Sequence, residues 1–279
     1  MESSLWGQLQ QWIRLRRQLL GERAYGEPSL AQAVAAPAPS PAEAEQRVNL
    51  SVNPNPTRGE TVLPSLNRPR FRMPEMGGHD LFDTPPEWLQ SQNLGELYER
   101  IHTCTACPLG LTRTHFVFGV GNPRADIVVI GEAPGAEEDA RGEPFVGAAG
   151  QLLNRMLQAI DLRREEVYIC NILKCRPPGN RRPTPQEIAT CRPYLWKQLE
   201  LIQPAFILAL GATAATALLG KEFKITELRG RPIPFQGMVM VVTYHPAALL
   251  RNPQWKRPAW EDLQLLQRLY RAYRVQSGQ

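Results

Sequence analysis

The chain lacks any run of about 20 apolar residues, the length a membrane-crossing helix needs. Its longest apolar stretch, AFILALGATAATALLG, is shorter and is broken by glycine and threonine. It also lacks the uninterrupted apolar core of a secretory leader, because it begins MESSLWGQLQQWIRLRR. These absences predict a cytoplasmic protein with no membrane association. Cysteine is scarce, five in 279 residues, and in a reducing compartment these five read as metal ligands or spare thiols rather than disulfides. Neither sign of charge dominates: 32 Lys+Arg against 27 Asp+Glu leave a net +5, which permits a polyanionic partner without requiring one.

What is present is unevenly distributed. Many of the 26 prolines fall before residue 90, so the folded part is shorter than the chain. Residues 1–24 place Leu5, Leu9, Ile13 and Leu20 near one helical face, with Trp6 and Trp12 beside them and Arg14, Arg16 and Arg17 mostly opposite. This amphipathic helix is either a docking element for a partner or for DNA, or a helix resting on the body of the protein. Residues 25–85 are rich in Pro, Ala and Ser without apolar periodicity and read as a disordered linker. Residues 86–279 form the expected folded domain.

That domain alternates strand and helix. Short, apolar, β-branched runs predict strands at 125–131, 166–172, 205–211 and 238–245, and helical spacing predicts helices at 89–102, 148–160, 185–201, 212–219 and 259–273. The alternation implies an α/β fold of three layers, α/β/α, around a central four-stranded, mainly parallel sheet. Ligands of such sheets sit beyond the carboxyl ends of the strands. That directs attention to GEAPG after the first strand, Asn171, Gly211 and His245.

The first of these ends is paradoxical. A glycine turn after a strand usually cradles phosphate, yet IGEAPGAEEDARGEPFVGAAG carries Glu132, Glu137, Glu138, Asp139 and Glu143 against the single base Arg141. Acids repel phosphate. Glu137 and Asp139 have an ordinary reading as a solvated helix start, where carboxylates suit the positive end of the dipole. Phe145 has one as core and Asn171 as a loop cap, while His102 and His115 read as structural or surface residues.

The cysteines add a second feature. Cys104 and Cys107 form CTACP, and Cys175 and Cys191 flank the basic loop KCRPPGNRRPTPQEIATC. Two ligands from a tight turn and two from a distant segment wrap a tetrahedral centre, either structural zinc or a cubic iron–sulfur cluster. The spacing does not separate the two. Cys170, inside a predicted strand, reads as a small core residue.

Taken together, GEAPGAEEDARGEPFVG, YICNILKCRPPGNRRP, the four cysteines and YHPAALLRNP resemble the family 4 uracil-DNA glycosylases, over about residues 94–273. The resemblance implies a uracil-DNA glycosylase-like fold and a hydrolase that frees uracil from single- or double-stranded DNA and leaves an abasic site for base excision repair. It implies a mainly structural [4Fe-4S] cluster on Cys104, Cys107, Cys175 and Cys191. Uracil would lie against Gly131, Glu132 and Ala133. Glu132 would orient or activate water, Glu138 would exclude the thymine methyl, and Phe145 would stack on the base. Asn171 would read the uracil edge and His245 would donate to O2. Ala133 stands where the better-known glycosylase family has aspartate, which moves the catalytic burden to Glu132 and to leaving-group stabilisation. Leu249 or Leu250 would wedge into the base stack, Arg251 would fill the gap or hold phosphate, and Arg176, Arg181 and Arg182 would clamp the backbone. The protein is expected to act as a monomer, with a repair or replication partner reached through the N-terminal helix. Two other classes compete: a uracil-DNA binding protein with the cluster and little turnover, and an electron-transfer module. The loop PPGNRRPTP holds no histidine, which argues against covalent capture of the abasic sugar.

Overall fold

The computed structural model describes residues 71–74 and 86–278. The helix expected over 1–24 and most of the linker expected over 25–85 lie outside the described residues. The linker reading did not anticipate Phe71. Its backbone N–H donates to Gln203 Oε1 at 2.7 Å, its carbonyl accepts from Gln203 Nε2 at 2.9 Å, and its buried ring sits 5.8 Å from Trp196.

In chain order the elements begin with α1 (Leu94–Ile101), α2 (Leu109–Thr112), β1 (Val120–Gly121), β2 (Ile127–Gly131), α3 (Ala136–Arg141), α4 (Ala148–Gln158) and β3 (Tyr168–Asn171). They continue with α5 (Pro185–Ile202), β4 (Phe206–Leu210), α6 (Ala212–Leu219), α7 (Ile225–Leu228), β5 (Ile233–Phe235), β6 (Met238–Thr243), α8 (Pro246–Arg251) and α9 (Lys256–Ser277). The sheet runs β1-β3-β2-β4-β6-β5. Its four central strands are parallel and are the four expected from sequence, while β1 and β5 pair antiparallel at the two edges. Among the described residues the sheet is therefore mixed and six-stranded, two short edge strands flanking the four-stranded parallel centre expected from sequence.

Alternation along the strands makes the three layers. Val128 and Ile130 of β2, Ile207 and Ala209 of β4 and Met240 and Val242 of β6 face one core, with Leu97 of α1, Leu195 and Leu199 of α5 and Ala214 of α6. Ile127, Val129, Phe206, Leu208 and Val241 face the other, with Leu153 and Leu157 of α4 and Leu263 and Leu266 of α9. Fully burying one such side chain contributes about 1.5–3 kcal/mol. Burial on both faces explains why these strands are uninterrupted apolar runs.

Candidate active site

β2 and β3 end side by side, with Gly131 registered against Asn171, and β4 and β6 end together at Leu210 and Thr243. The loops leaving these ends bring Glu132, Phe145, Asn171 and His245 toward one pole. Gly131 is required there: a Cβ at this position would stand 2.3 Å from Asn171 Oδ1 and 2.6 Å from Phe145 Cζ. The missing side chain lets amide and ring close on the strand end. Asn171 Oδ1 is buried without a hydrogen-bond partner. An orphaned buried acceptor costs about 1–3 kcal/mol until something donates to it, which marks the atom as aimed at a ligand. Glu132 is half-buried, and its carboxylate makes no hydrogen bond or ion pair among the described residues, while its carbonyl accepts from Leu173 N at 3.1 Å.

Phe145 adopts φ +54°, a left-handed conformation uncommon for a bulky residue. Two side chains hold the loop around it. Glu138 Oε1 accepts from the amides of Val146 (3.0 Å) and Gly147 (3.1 Å), and its Oε2 accepts from Gly135 N (3.1 Å). From the other side Arg164 donates to the carbonyls of Phe145 (3.3 Å) and Pro144 (2.5 Å) and to Asn154 Oδ1 (3.2 Å). Both oxygens of Glu138 are thus engaged in pinning the loop. Asp139 is not the solvated helix-start acid expected from sequence: it is buried, and its Oδ1 accepts from Thr114 N at 2.9 Å and His115 N at 3.4 Å.

His245 caps α8. Its Nδ1 accepts from Ala247 N at 3.2 Å, so the ring proton of the neutral imidazole lies on Nε2. The ring centroid sits 5.6 Å from that of Phe145 at 32°. Burial and the neighbouring Arg251 guanidinium hold the imidazole down at about 4, against an opposing pull from Glu138. The site therefore offers a neutral N–H donor at pH 7, not an acid.

The cysteines come from three elements: the α1–α2 turn (Cys104, Cys107), the loop after β3 (Cys175) and α5 (Cys191). The four thiols lie within electrostatic reach of one another, and burial pushes Cys175 up to about 11 and Cys191 to about 12. Among the described residues no three potential ligands crowd closely enough to hold a single metal ion. Four thiol donors with no nitrogen or oxygen ligand are a donor set that suits an iron–sulfur cluster as well as a thiolate zinc site. The surroundings suit its negative charge. Arg113 Nη1 donates to Cys175 Sγ at 3.4 Å, Lys174 N to Cys191 Sγ at 3.4 Å and Ala106 N to Cys104 Sγ at 3.4 Å. Lys174 itself is fully buried and donates from Nζ to Asn171 O (2.9 Å) and Gln198 Oε1 (2.5 Å). One lysine thus ties the cysteine centre to the loop that carries Asn171.

The profile of the Uracil DNA glycosylase superfamily matches residues 118–264. A type-4 uracil-DNA glycosylase of Thermotoga maritima is 51% identical over 170 residues, covering 60% of this chain and 88% of the relative. One from Archaeoglobus fulgidus is 46% identical over 179 residues, covering 61% and 90%. The chain belongs to the type-4 uracil-DNA glycosylases. A further type-4 relative, from Pyrobaculum aerophilum, is 41% identical over 181 residues, covering 61% and 91%. Within this type-4 chain the residues expected at the DNA divide sharply. Leu249 is a core residue, 2% exposed and packed with the α4 and α9 side chains, so it is not available as a wedge. Leu250 is 43% exposed and Arg251 is exposed beside it. Arg181 is bound by both outer nitrogens to Glu187, Nη2 to Oε1 at 2.7 Å and Nη1 to Oε2 at 2.9 Å, and holds that carboxyl down at about 2. Arg176 Nε donates to Asn180 Oδ1 at 2.8 Å, and Arg182 is exposed. Arg164 and Lys174 were missed from sequence, and no local pattern distinguishes a buried lysine or arginine from the usual exposed one.

Proposed function

We infer that the protein hydrolyses the N-glycosidic bond of uracil in DNA, giving free uracil and an abasic site. The observation that carries this reading is the convergence at Gly131 of a flat ring, an unpartnered amide oxygen, an unpaired carboxylate and a neutral imidazole donor. A flipped pyrimidine matches that set. Phe145 stacks on its face, and Asn171 accepts from N3–H and donates to O4, a pairing cytosine cannot satisfy. As the C1′–N1 bond breaks, its electron pair moves into the ring. The Nε2–H of His245 then stabilises charge growing at O2. Glu132 faces the sugar, stabilises its cationic character and orients the water whose oxygen joins C1′; the water's proton leaves to solvent or to the departing base.

Cys104, Cys107, Cys175 and Cys191 hold a [4Fe-4S] cluster, which supplies a rigid cross-link between three elements. Glu138 acts on thymine exclusion through the loop it pins, setting how closely Phe145 and Val146 approach the C5 edge. Leu250 and Arg251 enter the duplex at the flipped site, and Arg176 and Arg182 hold phosphates. The protein acts as a cytoplasmic monomer on single- or double-stranded DNA, with residues 1–24 recruiting a repair or replication partner. The test is base release from matched oligonucleotides bearing one uracil or one thymine, with wild type beside Glu132→Gln. Cleavage of the uracil strand alone, much reduced in the variant, is expected. A tight uracil-dependent complex without release would instead identify a binding protein.

A further inference from the structure

Phe145 is the stacking ring of the proposed uracil pocket, and its backbone sits where few phenylalanines do, at φ +54°. The two soft torsions of a residue are the rotations between the peptide planes on either side of it. Here one plane carries the Pro144 carbonyl and the other the Phe145 carbonyl. Arg164 holds both: Nη2 donates to Pro144 O at 2.5 Å and Nη1 to Phe145 O at 3.3 Å. The N–H of the second plane, on Val146, donates to Glu138 Oε1 at 3.0 Å. A Cβ at Gly150 would collide with the Phe145 carbonyl, so α4 forms a wall against which that plane rests. Both torsions of Phe145 are therefore fixed from outside the residue.

Arg164 is itself anchored. Its Nη1 also donates to Asn154 Oδ1 of α4 at 3.2 Å, and it opens the short helical turn Arg164–Glu166 that leads into β3. Burial pulls the guanidinium below the ordinary arginine value, while the Glu143 and Glu138 carboxylates pull it back. β3 ends at Asn171, so one segment carries both the support of the ring and the amide assigned to the base edge. We propose that Arg164 is a positioning residue for uracil binding: by holding the carbonyls on both sides of the Phe145 Cα, it fixes the plane on which the flipped base stacks. The inference rests on the glycosylase reading of the pocket and deepens it. In this role Arg164 touches no part of the DNA and acts through Phe145. The planar fork of a guanidinium spans two carbonyls at once, whereas a lysine ammonium on a flexible stem does not hold two in one geometry.

The experiment uses the full-length protein and single-stranded oligonucleotides bearing one uracil. Arg164→Lys should raise KM by about tenfold, the scale of a lost base–aromatic stack, with a smaller fall in kcat. The decisive reading is a double-mutant cycle. In a Phe145→Leu background Arg164→Lys should no longer change KM, because the ring it positions is gone, whereas in a Leu250→Ala background the tenfold rise should persist. A general loosening of the fold would act alike in both backgrounds. Should Arg164→Lys fail to fold, Asn154→Ala takes its place: it removes only the oxygen that steadies Nη1, and its smaller rise in KM should also vanish without the Phe145 ring. An unchanged KM in the Arg164 variant, or an equal loss with and without the ring, would overturn the proposal. Failure of wild type to release uracil would sink the glycosylase reading instead. Uracil-dependent binding, read by fluorescence anisotropy, then carries the same cycle, and the absence of such binding overturns both.

Discussion

The imidazole of His245 lends itself to a quantitative test. An ordinary histidine titrates near 6.5. Burial and Arg251 hold this one at about 4 against Glu138. That gap of about 2.5 pH units corresponds to roughly 3 kcal/mol against the cation, at about 1.36 kcal/mol per pH unit. A hydrogen-bond donor to uracil O2 needs no ionisable proton, so kcat should stay flat from pH 8 to about 5 and any His245-dependent loss should appear only near 4. His245→Ala removes the donor, and the usual cost of one such donor is about 10²–10³ in kcat. His245→Gln keeps an N–H and should recover part of the rate without the histidine-dependent limb. A limb surviving in His245→Gln belongs to another group. Nitrogen-15 spectra of the labelled protein at pH 7 should report a bare Nδ1 and a protonated Nε2, as the Ala247 bond requires.

Stability supplies an independent reading of the same group. The unfolded chain binds a proton at this histidine below about 6.5, whereas the folded chain does so only near 4. Its contribution is therefore fully present above 6.5 and declines as pH falls toward 4. Wild type should lose up to about 3 kcal/mol over that window which His245→Gln does not lose. A rate that tracks a group near 6.5, rising as the imidazole protonates, or a spectrum with the proton on Nδ1, would refute the neutral-donor reasoning.

Other substitutions separate roles that look alike in sequence. Gly131→Ala drives a methyl into Asn171 Oδ1 and the Phe145 ring; it should cost about 1–3 kcal/mol in thermal unfolding and reduce uracil release far more than that loss explains. Arg181→Ala should lower stability at pH 7, because it strips a buried carboxylate of its partner while the guanidinium is itself half-exposed. Glu187 titrates at about 2 in the fold against 4.5 ordinarily, so the benefit is present above about 4.5 and fades as pH falls toward 2; a smaller salt slope in DNA binding with unchanged stability would instead make Arg181 a phosphate clamp. Leu250→Ala should weaken duplex cleavage about tenfold and spare single strands, whereas Leu249→Ala should lower Tm through a core cavity, at about 2–5 kcal/mol. Cys191→Ser should abolish iron binding and visible absorbance; retention of a full iron complement would remove it from the ligand set.

How much of this was legible in advance depends on which forces wrote it. The central strands are buried on both faces, so each appears as a run such as IVVIG or FILAL that no helix pattern mimics over so short a span. The edge strands are two and three residues long, and β5 contains Pro234, so neither leaves a periodic signature. Leu249 and Leu250 are adjacent and chemically identical. Only the rotation of α8 against α4 and α9 decides which is core and which is solvent-facing, and that is a tertiary fact. Arg164 reaches Phe145 across nineteen positions of sequence and Lys174 reaches Gln198 across twenty-four, so these supports become visible only once the chain is folded.

The acids of the glycine turn illustrate how local composition misleads about electrostatics. The stretch reads as a concentration of negative charge, yet Glu138 accepts three backbone amides and Asp139 two, so both serve as anchors for loops on opposite sides of α3. Amides aligned on a carboxylate spread its charge onto the backbone. Glu132 is the acid at the strand end that remains unpaired among the described residues. The imidazole of His245 is kept neutral by its own burial and by Arg251. A pocket so balanced has no strong attraction for an incoming phosphate. In the proposed reaction it reserves one carboxylate for positive charge that appears at the sugar only as the bond breaks, and one N–H for negative charge that appears on the base at the same moment.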